Sequence, residues 1–320
     1  MGHQTQSSDL SAVAKPETDL SDPRCAPPRA LVRDLAEKGV VSMQAEWTAF
    51  RGGRTNRVWH VRDRGTEHVV KLYASAPSDT PLFRNDPHAE AHVLDLLAGH
   101  GLSPRPVYHG AHSAGAVLIY EHQTGLVWRS GTEQVATLLK ALHGRPTDAN
   151  LIALPAAPDG SDALTRQTLA MLAQAPEDLA APILALQPRW KIPPSEHQSL
   201  LHGDPVPDNL VCPPGPTDAR PVLIDWQCPA LGDPVMDLAL FLSPAMQQVG
   251  RGTPLSDSER RSFLIAYDDP GVEARLTDLQ PFFHWRMAAY CLWKITRDKP
   301  DTAYDPALSA DIAALRRLTN

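Results

Sequence analysis

The chain has 320 residues, 42% of them apolar, which is material for a two-lobed enzyme; its formal charge of −7 leaves no surplus of Lys and Arg for a nucleic-acid backbone and suits a neutral or cationic small molecule better. Four cysteines (Cys25, Cys212, Cys228, Cys291) show no CxxC or Cys/His ligand spacing, so neither a disulfide framework nor a zinc site is indicated. No apolar run reaches the roughly 18 residues that span a bilayer and the N-terminal stretch lacks a signal-peptide core, so the expectation is a soluble, cytoplasmic protein with reduced thiols and no membrane partner.

Residues 1–26 are polar and without apolar periodicity, which predicts a mobile tail. A short helix from Pro28 to Lys38 is expected next, stopped by Gly39, and then strands over Met43–Phe50, Arg57–Arg62 and His68–Tyr73. Asp86-Pro87 opens a helix that Gly99 and Gly101 close, and further strands lie near Val107 and over Ala116–Glu121. From Gly125 the pattern turns helical: Ser130-x-x-Glu133 has the form of a capping box ahead of Val135, Leu138, Leu139 and Leu142, and 161–174 and 176–187 are helical by spacing. The segment 278–296, apolar nearly all round, reads as a buried helix. The division is a tail over 1–26, a small antiparallel-sheet lobe with one main helix over 27–124, and a larger, mainly helical lobe over 125–320, an α+β architecture.

Two apolar runs inside the helical part, Leu210–Cys212 and Val222–Ile224, are joined by a Pro/Gly/Thr/Asp loop and predict a β-hairpin. Antiparallel pairing brings the residue before the first strand, Asn209, beside the residue after the second, Asp225. With Asp204 five residues upstream of Asn209, this makes an oxygen-rich cluster of the kind that holds Mg2+, although Asp and Asn are also ordinary turn residues. In the first lobe, Lys71 sits mid-strand among apolar neighbours and needs an anion, and Glu90 lies on the inward face of the helix, so the two are expected to pair.

Taken together, these pieces make the chain resemble the aminoglycoside phosphotransferase and choline kinase family of the protein-kinase-like two-lobe fold. The resemblance rests on Phe50-Arg51-Gly52-Gly53-Arg54-Thr55-Asn56, Lys71, Glu90, Val117–Gln123, His202-Gly203-Asp204-x4-Asn209, Ile224-Asp225-Trp226-Gln227 and Gly232-Asp233-Pro234-x-x-Asp237-Leu238, in the family's order over roughly residues 45–295. It implies an ATP- and Mg2+-dependent transferase. Asp204 would receive or orient the acceptor hydroxyl proton, His202 would orient the catalytic loop and Asp237 would brace it. Asn209 and Asp225 would hold magnesium, Lys71 would bind the phosphates and Glu90 would position it. Gly52, Gly53, Thr55 and Asn56 would cover the phosphates, and the segment with Glu121 and Gln123 would meet the adenine.

Two departures matter. The nucleotide loop is not GxGxxG, and Val206 stands where protein kinases carry a lysine, which disfavours a protein substrate. Gln227 also replaces an acid found in many relatives. The rings Trp285, Tyr290 and Trp293 suggest an aromatic site for a choline-, ethanolamine- or thiamine-like cation, with core packing as the competing reading and an aminoglycoside or sugar as the alternative acceptor. A nucleotide-binding pseudokinase is the rival of another class, and the complete set of Lys71, Asp204, Asn209 and Asp225 argues for turnover. The scattered histidines His60, His100, His109 and His143 read as structural, since none has metal-ligand spacing.

Overall fold

Alternation along one strand decides how the first lobe is layered. The computed structural model describes residues 25–50, 56–73, 80–147, 153–215, 219–297 and 301–319. Of the expected tail only Cys25 and Ala26 lie within it, and Gly52, Gly53 and Thr55 fall outside. Strands β1 (Glu46–Ala49), β2 (Arg57–Asp63), β3 (Thr66–Leu72), β4 (Pro106–His112) and β5 (Gly115–Glu121) form one antiparallel sheet in the order β1-β2-β3-β5-β4. Successive side chains of a strand point to opposite faces. Val70 and Leu72 of β3 therefore pack with Trp59, Val61, Val117 and Ile119 against Leu31 and Leu35 of α1 (Arg29–Glu37). Val69 and Tyr73 instead join Leu118 and the Val93, Leu94 and Leu97 side chains of α2 (Pro87–Leu97).

Lys71 has the parity of Val69 and Tyr73, so it is carried onto the α2 face. The start of α2 is pinned by Asp86, whose carboxylate accepts the His88 and Ala89 backbone N–H groups at 3.0 Å each, and by Pro87 in the first helical position. That start places Glu90 in the first turn, fully buried. Cys25 and Ala26 are not loose: their carbonyls accept from the Trp59 indole and the Arg57 guanidinium.

The second lobe contains α3 (Thr132–His143), α4 (Gly160–Leu172), α5 (Glu177–Leu184), α6 (Val235–Phe241), α7 (Pro244–Arg251), α8 (Asp257–Tyr267), α9 (Pro270–Ile295) and α10 (Tyr304–Thr319). Helix α9 runs through its centre, against α4, α6 and α10. Two small sheets lie on the side of the first lobe: β7 (Ser199–Leu201) with β10 (Ala230–Gly232), and β6 (Leu126–Val127) with β8 (Leu210–Cys212) and β9 (Val222–Leu223). The expected hairpin is present, with Leu210 opposite Leu223.

Two helix starts differ from expectation. Helix α3 has no capping box at Ser130 and Glu133; Gly131 is its N-cap, in a left-handed conformation with φ 85°. Tertiary contacts win there: Trp128 Nε1 donates to the Gly131 carbonyl at 3.1 Å, and Thr132 Oγ1 donates to the Glu259 carbonyl at 2.9 Å. Helix α9 begins eight residues before the expected 278, because its first turns are amphipathic and are started by Asp269, which accepts from Gly271 and Val272.

The capping box that does form opens α8, between Ser256 and Glu259. Arg251 and the Ser256 N–H bond the Glu259 carboxylate at 2.5 and 2.7 Å and hold its pKa down to about 2. A depressed carboxyl stabilises the fold above its unfolded pKa and loses that contribution as pH falls through the folded value. A third of this side chain is exposed (33%), so solvent screening leaves roughly 1–2 kcal/mol. Glu259→Gln is expected to lower Tm at pH 7 and to lower it less at pH 3.5, where wild type is already losing the same interaction. An equal loss at both values would assign the effect to packing.

Candidate active site

Strand β7 delivers the chain into His202, Gly203 and Asp204, and one buried carboxylate holds this turn from beneath. Asp237, in the first turn of α6, accepts the His202 N–H at 2.8 Å and the Gly203 N–H at 2.9 Å. His143 Nε2 lies 3.2 Å from the same carboxylate, with Tyr267 Oη 3.0 Å from its Nδ1, so this histidine is a structural brace. Gly203 has φ 81°, and a Cβ there would stand 2.1 Å from the Cys228 carbonyl oxygen, so only glycine fits. His202 is fully buried. Its Nδ1 accepts the Asp204 N–H at 3.2 Å, which leaves Nε2 to donate to the Ile224 carbonyl at 3.0 Å. Burial holds its pKa below the usual histidine value, in keeping with that neutral tautomer.

The 3-10 turn Pro207–Asn209 returns Asn209 to Asp204: its amide nitrogen donates to the Asp204 carbonyl at 2.9 Å and to Oδ2 at 3.2 Å. The Ile224 N–H donates to the Asn209 carbonyl at 2.9 Å, so the hairpin does set Asn209 against the backbone that leads into Asp225. Asp225 itself has φ 61°. Burial and the Asp225 charge push the Asp204 carboxyl up to about 8.

Lys71 and Glu90 meet, with Nζ 2.7 Å from Oε2, and the same ammonium lies 2.6 Å from Asp225 Oδ1. The second contact was not part of the expectation. Burial works against the ammonium, but Asp225 and Glu90 override it and raise the pKa above the ordinary lysine value. Tyr73 adds a short hydroxyl bond to Glu90, and its ring lies 5.0 Å from the ammonium. The donor set suits a hard divalent cation. Asn209 turns its nitrogen to Asp204 and so keeps Oδ1 for another partner, and the Asp225 side chain is 38% exposed.

Other expected site residues fare differently. The Asn56 side chain is spent within the protein: its nitrogen donates to Asn85 Oδ1 at 2.6 Å and Gln227 Oε1 at 3.3 Å, and its oxygen accepts from Asn85 at 2.9 Å. It ties the first lobe to the segment after Asp225 through the Gln227 side-chain oxygen, at the position where many relatives carry an acid. Glu121 gives its N–H to Arg105 and its carboxylate to the Arg105 guanidinium, so its side chain is turned outward. The ladder ends at His122, which bonds the Glu67 carbonyl; Gln123 follows outside the ladder, with its side-chain nitrogen 3.5 Å from the Glu121 carbonyl.

Trp285 is a core residue, fully enclosed, with its indole donating to the Ile183 carbonyl at 2.7 Å, and offers no face to a ligand. Tyr290 and Trp293 are buried as well, and their faces are already attended by cations: Lys294 Nζ lies 5.6 and 5.8 Å from the two rings, and the Arg297 guanidinium lies 4.3 Å from Trp293. Lys294 is close enough to oppose, weakly, the rise of the Asp204 pKa. His60, Glu67 and His122 come together although chain spacing gave no sign of it; their ligand atoms lie within 4.8 Å of one another, and Arg62 shares the carboxylate. No helix among the described residues is long and apolar enough to cross a membrane.

Residues 46–279 match the profile of a family described as the phosphotransferase enzyme family. No curated protein sequence matches the chain. Among solved structures, the Plasmodium vivax ethanolamine kinase is 12% identical, with 89% of this chain and 84% of that one covered and a TM-score of 0.59. A spectinomycin phosphotransferase in complex with ADP and its drug is 14% identical over 90% and 92%, with a TM-score of 0.58. A microcompartment-associated aminopropanol kinase is 13% identical over 90% and 96%, with a TM-score of 0.57. At these identities the likeness is one of fold, and the fold is kinase-like.

Proposed function

We propose that this chain, which belongs to the phosphotransferase enzyme family, transfers the γ-phosphate of ATP to a hydroxyl of a small acceptor at the site built around Asp204. The observation that carries the reading is the bridge Glu90–Lys71–Asp225, which joins the α2 face of the first lobe to the loop beyond the hairpin. An ammonium held between two carboxylates in a buried cleft is a phosphate-binding group already in place. Asn209 and Asp225 would hold Mg2+, which supplies neutralisation of phosphate charge when bound. Asp204, fixed by the His202 and Asn209 contacts, would face the acceptor hydroxyl and take or orient its proton. Structures of similar fold in complex with ADP support nucleotide use.

For the acceptor, an amino alcohol or a thiamine-like cation has support from the names of similar structures, ethanolamine kinase and aminopropanol kinase. The aromatic faces that would have read such a cation here are occupied by Lys294 and Arg297, so that support is not structural. Measuring Mg2+-dependent ADP release against amino alcohols, thiamine, hexosamines, aminoglycosides and hydroxy acids tests the reading. A chain that binds Mg-ATP by calorimetry yet releases ADP with none of them would be a nucleotide sensor.

A further inference from the structure

Within the apolar stretch of α9 stands one guanidinium without a counter-ion among the described residues. Arg286 is 7% exposed, and its one hydrogen bond among the described residues runs from Nε to Gln167 Oε1 at 2.7 Å. Gln167 is set for that task, since its own nitrogen donates to the Pro81 carbonyl at 3.0 Å. No carboxylate lies within 4.0 Å of Arg286 among the described residues. Burial without any opposing anion pulls its pKa down to about 10. An ionised group taken out of water and left unpaired is costly, and arginine stays ionised, so proteins normally give it a carboxylate.

What Arg286 faces instead is a cavity of about 230 Å³, lined also by Arg84, Gln167, Cys228 and Gly203, the residue before Asp204. Among the described residues the one acidic lining residue is Asp237, and its oxygens are committed to the His202 and Gly203 N–H groups and to His143. A protein of net charge −7 thus keeps a cationic pocket against Gly203 and Cys228, the residue before its candidate catalytic Asp204 and a side chain that feels the Asp204 charge, the reverse of the sign expected from composition. The volume is below the ~300–1,000 Å³ of drug-sized sites and suits a small metabolite.

Building on the reading of the chain as a hydroxyl kinase, we infer that its acceptor is a small hydroxylated acid, whose anionic group is bound by Arg286 with Arg84 while its hydroxyl is presented to Asp204. The guanidinium fork matches a carboxylate or phosphate oxygen pair bidentately, and Gln167 fixes the plane of the fork by holding Nε. An acceptor anchored this way needs no aromatic cage, which agrees with the cation-covered faces of Tyr290 and Trp293.

The test uses the full chain with Mg-ATP and matched acceptors: hydroxy acids, hydroxyamino acids, sugar acids and phosphorylated alcohols, each beside its uncharged ester, amide or alcohol and, where one exists, its amino alcohol. ADP release is expected with an anionic member and at least ten-fold poorer kcat/KM with its uncharged counterpart. Arg286→Gln should raise KM for that acceptor about 10- to 100-fold, the loss of a charged hydrogen-bonded contact, with KM for ATP held. Arg286→Lys should recover part of the loss. Arg84→Gln, at an exposed position, should raise the same KM and keeps the test alive if Arg286→Gln fails to fold. Calorimetry with the hydroxy acids and ADP-Mg separates the two readings. Acid binding to wild type but not to Arg286→Gln, without turnover of any compound, would overturn the kinase reading and keep the anion site. Turnover of a neutral or cationic acceptor with KM untouched by the Arg286 and Arg84 substitutions would keep the kinase and overturn the anion site.

Discussion

Asp204→Asn is expected to cut acceptor phosphorylation about 100-fold or more while Mg-ATP binding, read by calorimetry, stays close to wild type. The substitution keeps the shape of the side chain, and the Asn209 bond to the Asp204 backbone carbonyl does not depend on the carboxylate. What it removes is a group that can receive a proton at the acceptor, and the loss should appear in kcat. Stability should move the other way. Burial and the nearby Asp225 raise this carboxyl to about 8, so in the nucleotide-free protein its folded pKa is above its unfolded one and it costs stability as pH rises from 3.8 towards 8. An amide has no such cost, and the Asn variant should melt higher than wild type at pH 8. A variant that turned over normally, or that lost nucleotide binding and rate together, would remove Asp204 from the acceptor side of the reaction.

The parts of this site that could be read in the sequence are those governed by short-range rules. The apolar neighbours of Lys71 in β3 marked it as a buried cation, helical spacing put Glu90 on the inward face of α2, and the two apolar runs of the hairpin brought Asn209 towards Asp225. Asp237 was expected under the catalytic loop from the family motif, and its contacts to two backbone N–H groups are there.

What escaped was set by contacts between distant segments. Asp225 reaches Lys71 across 154 positions of chain, and Asn56 reaches Gln227 across 171, and no local pattern distinguishes either from an ordinary polar residue. The capping-box pattern occurs at both Ser130 and Ser256; burial of Trp128 and Thr132 decides against the first, which is tertiary information. Arg286 was hidden for another reason: in a helix that reads as apolar all round, one arginine looks like a surface position, and only the cavity beside it shows otherwise.

The bridge across Lys71 gives the second large expected effect. Lys71→Met should lower kcat/KM by about 100- to 1,000-fold, the range seen when one preorganised charge-stabilising group is lost, and Glu90→Gln should lower it less, because the ammonium still has Asp225 to hold it. In the double variant the Glu90 substitution should add almost nothing, since a positioning residue has no role once the group it positions is gone. Stability offers a readout that catalysis does not. Lys71→Met leaves Glu90 fully buried without its cation, and breaking such a pair costs about 3–5 kcal/mol when the remaining charge cannot be relieved. Glu90 has a way out, because burial already raises its pKa to about 7 with the lysine present. Without Lys71 that pKa rises further above its unfolded value of 4.5, so the folded state binds the extra proton and the variant loses stability as pH increases. Denaturant titrations should therefore find Lys71→Met only mildly weaker than wild type at pH 5 and markedly weaker at pH 8, and the Lys71→Met/Glu90→Gln double variant should recover most of the difference at pH 8. A Lys71→Met penalty independent of pH and untouched by Glu90→Gln would mean that the two side chains share a space without sharing a proton balance, and additive losses in kcat/KM would deny Glu90 its role in positioning the lysine.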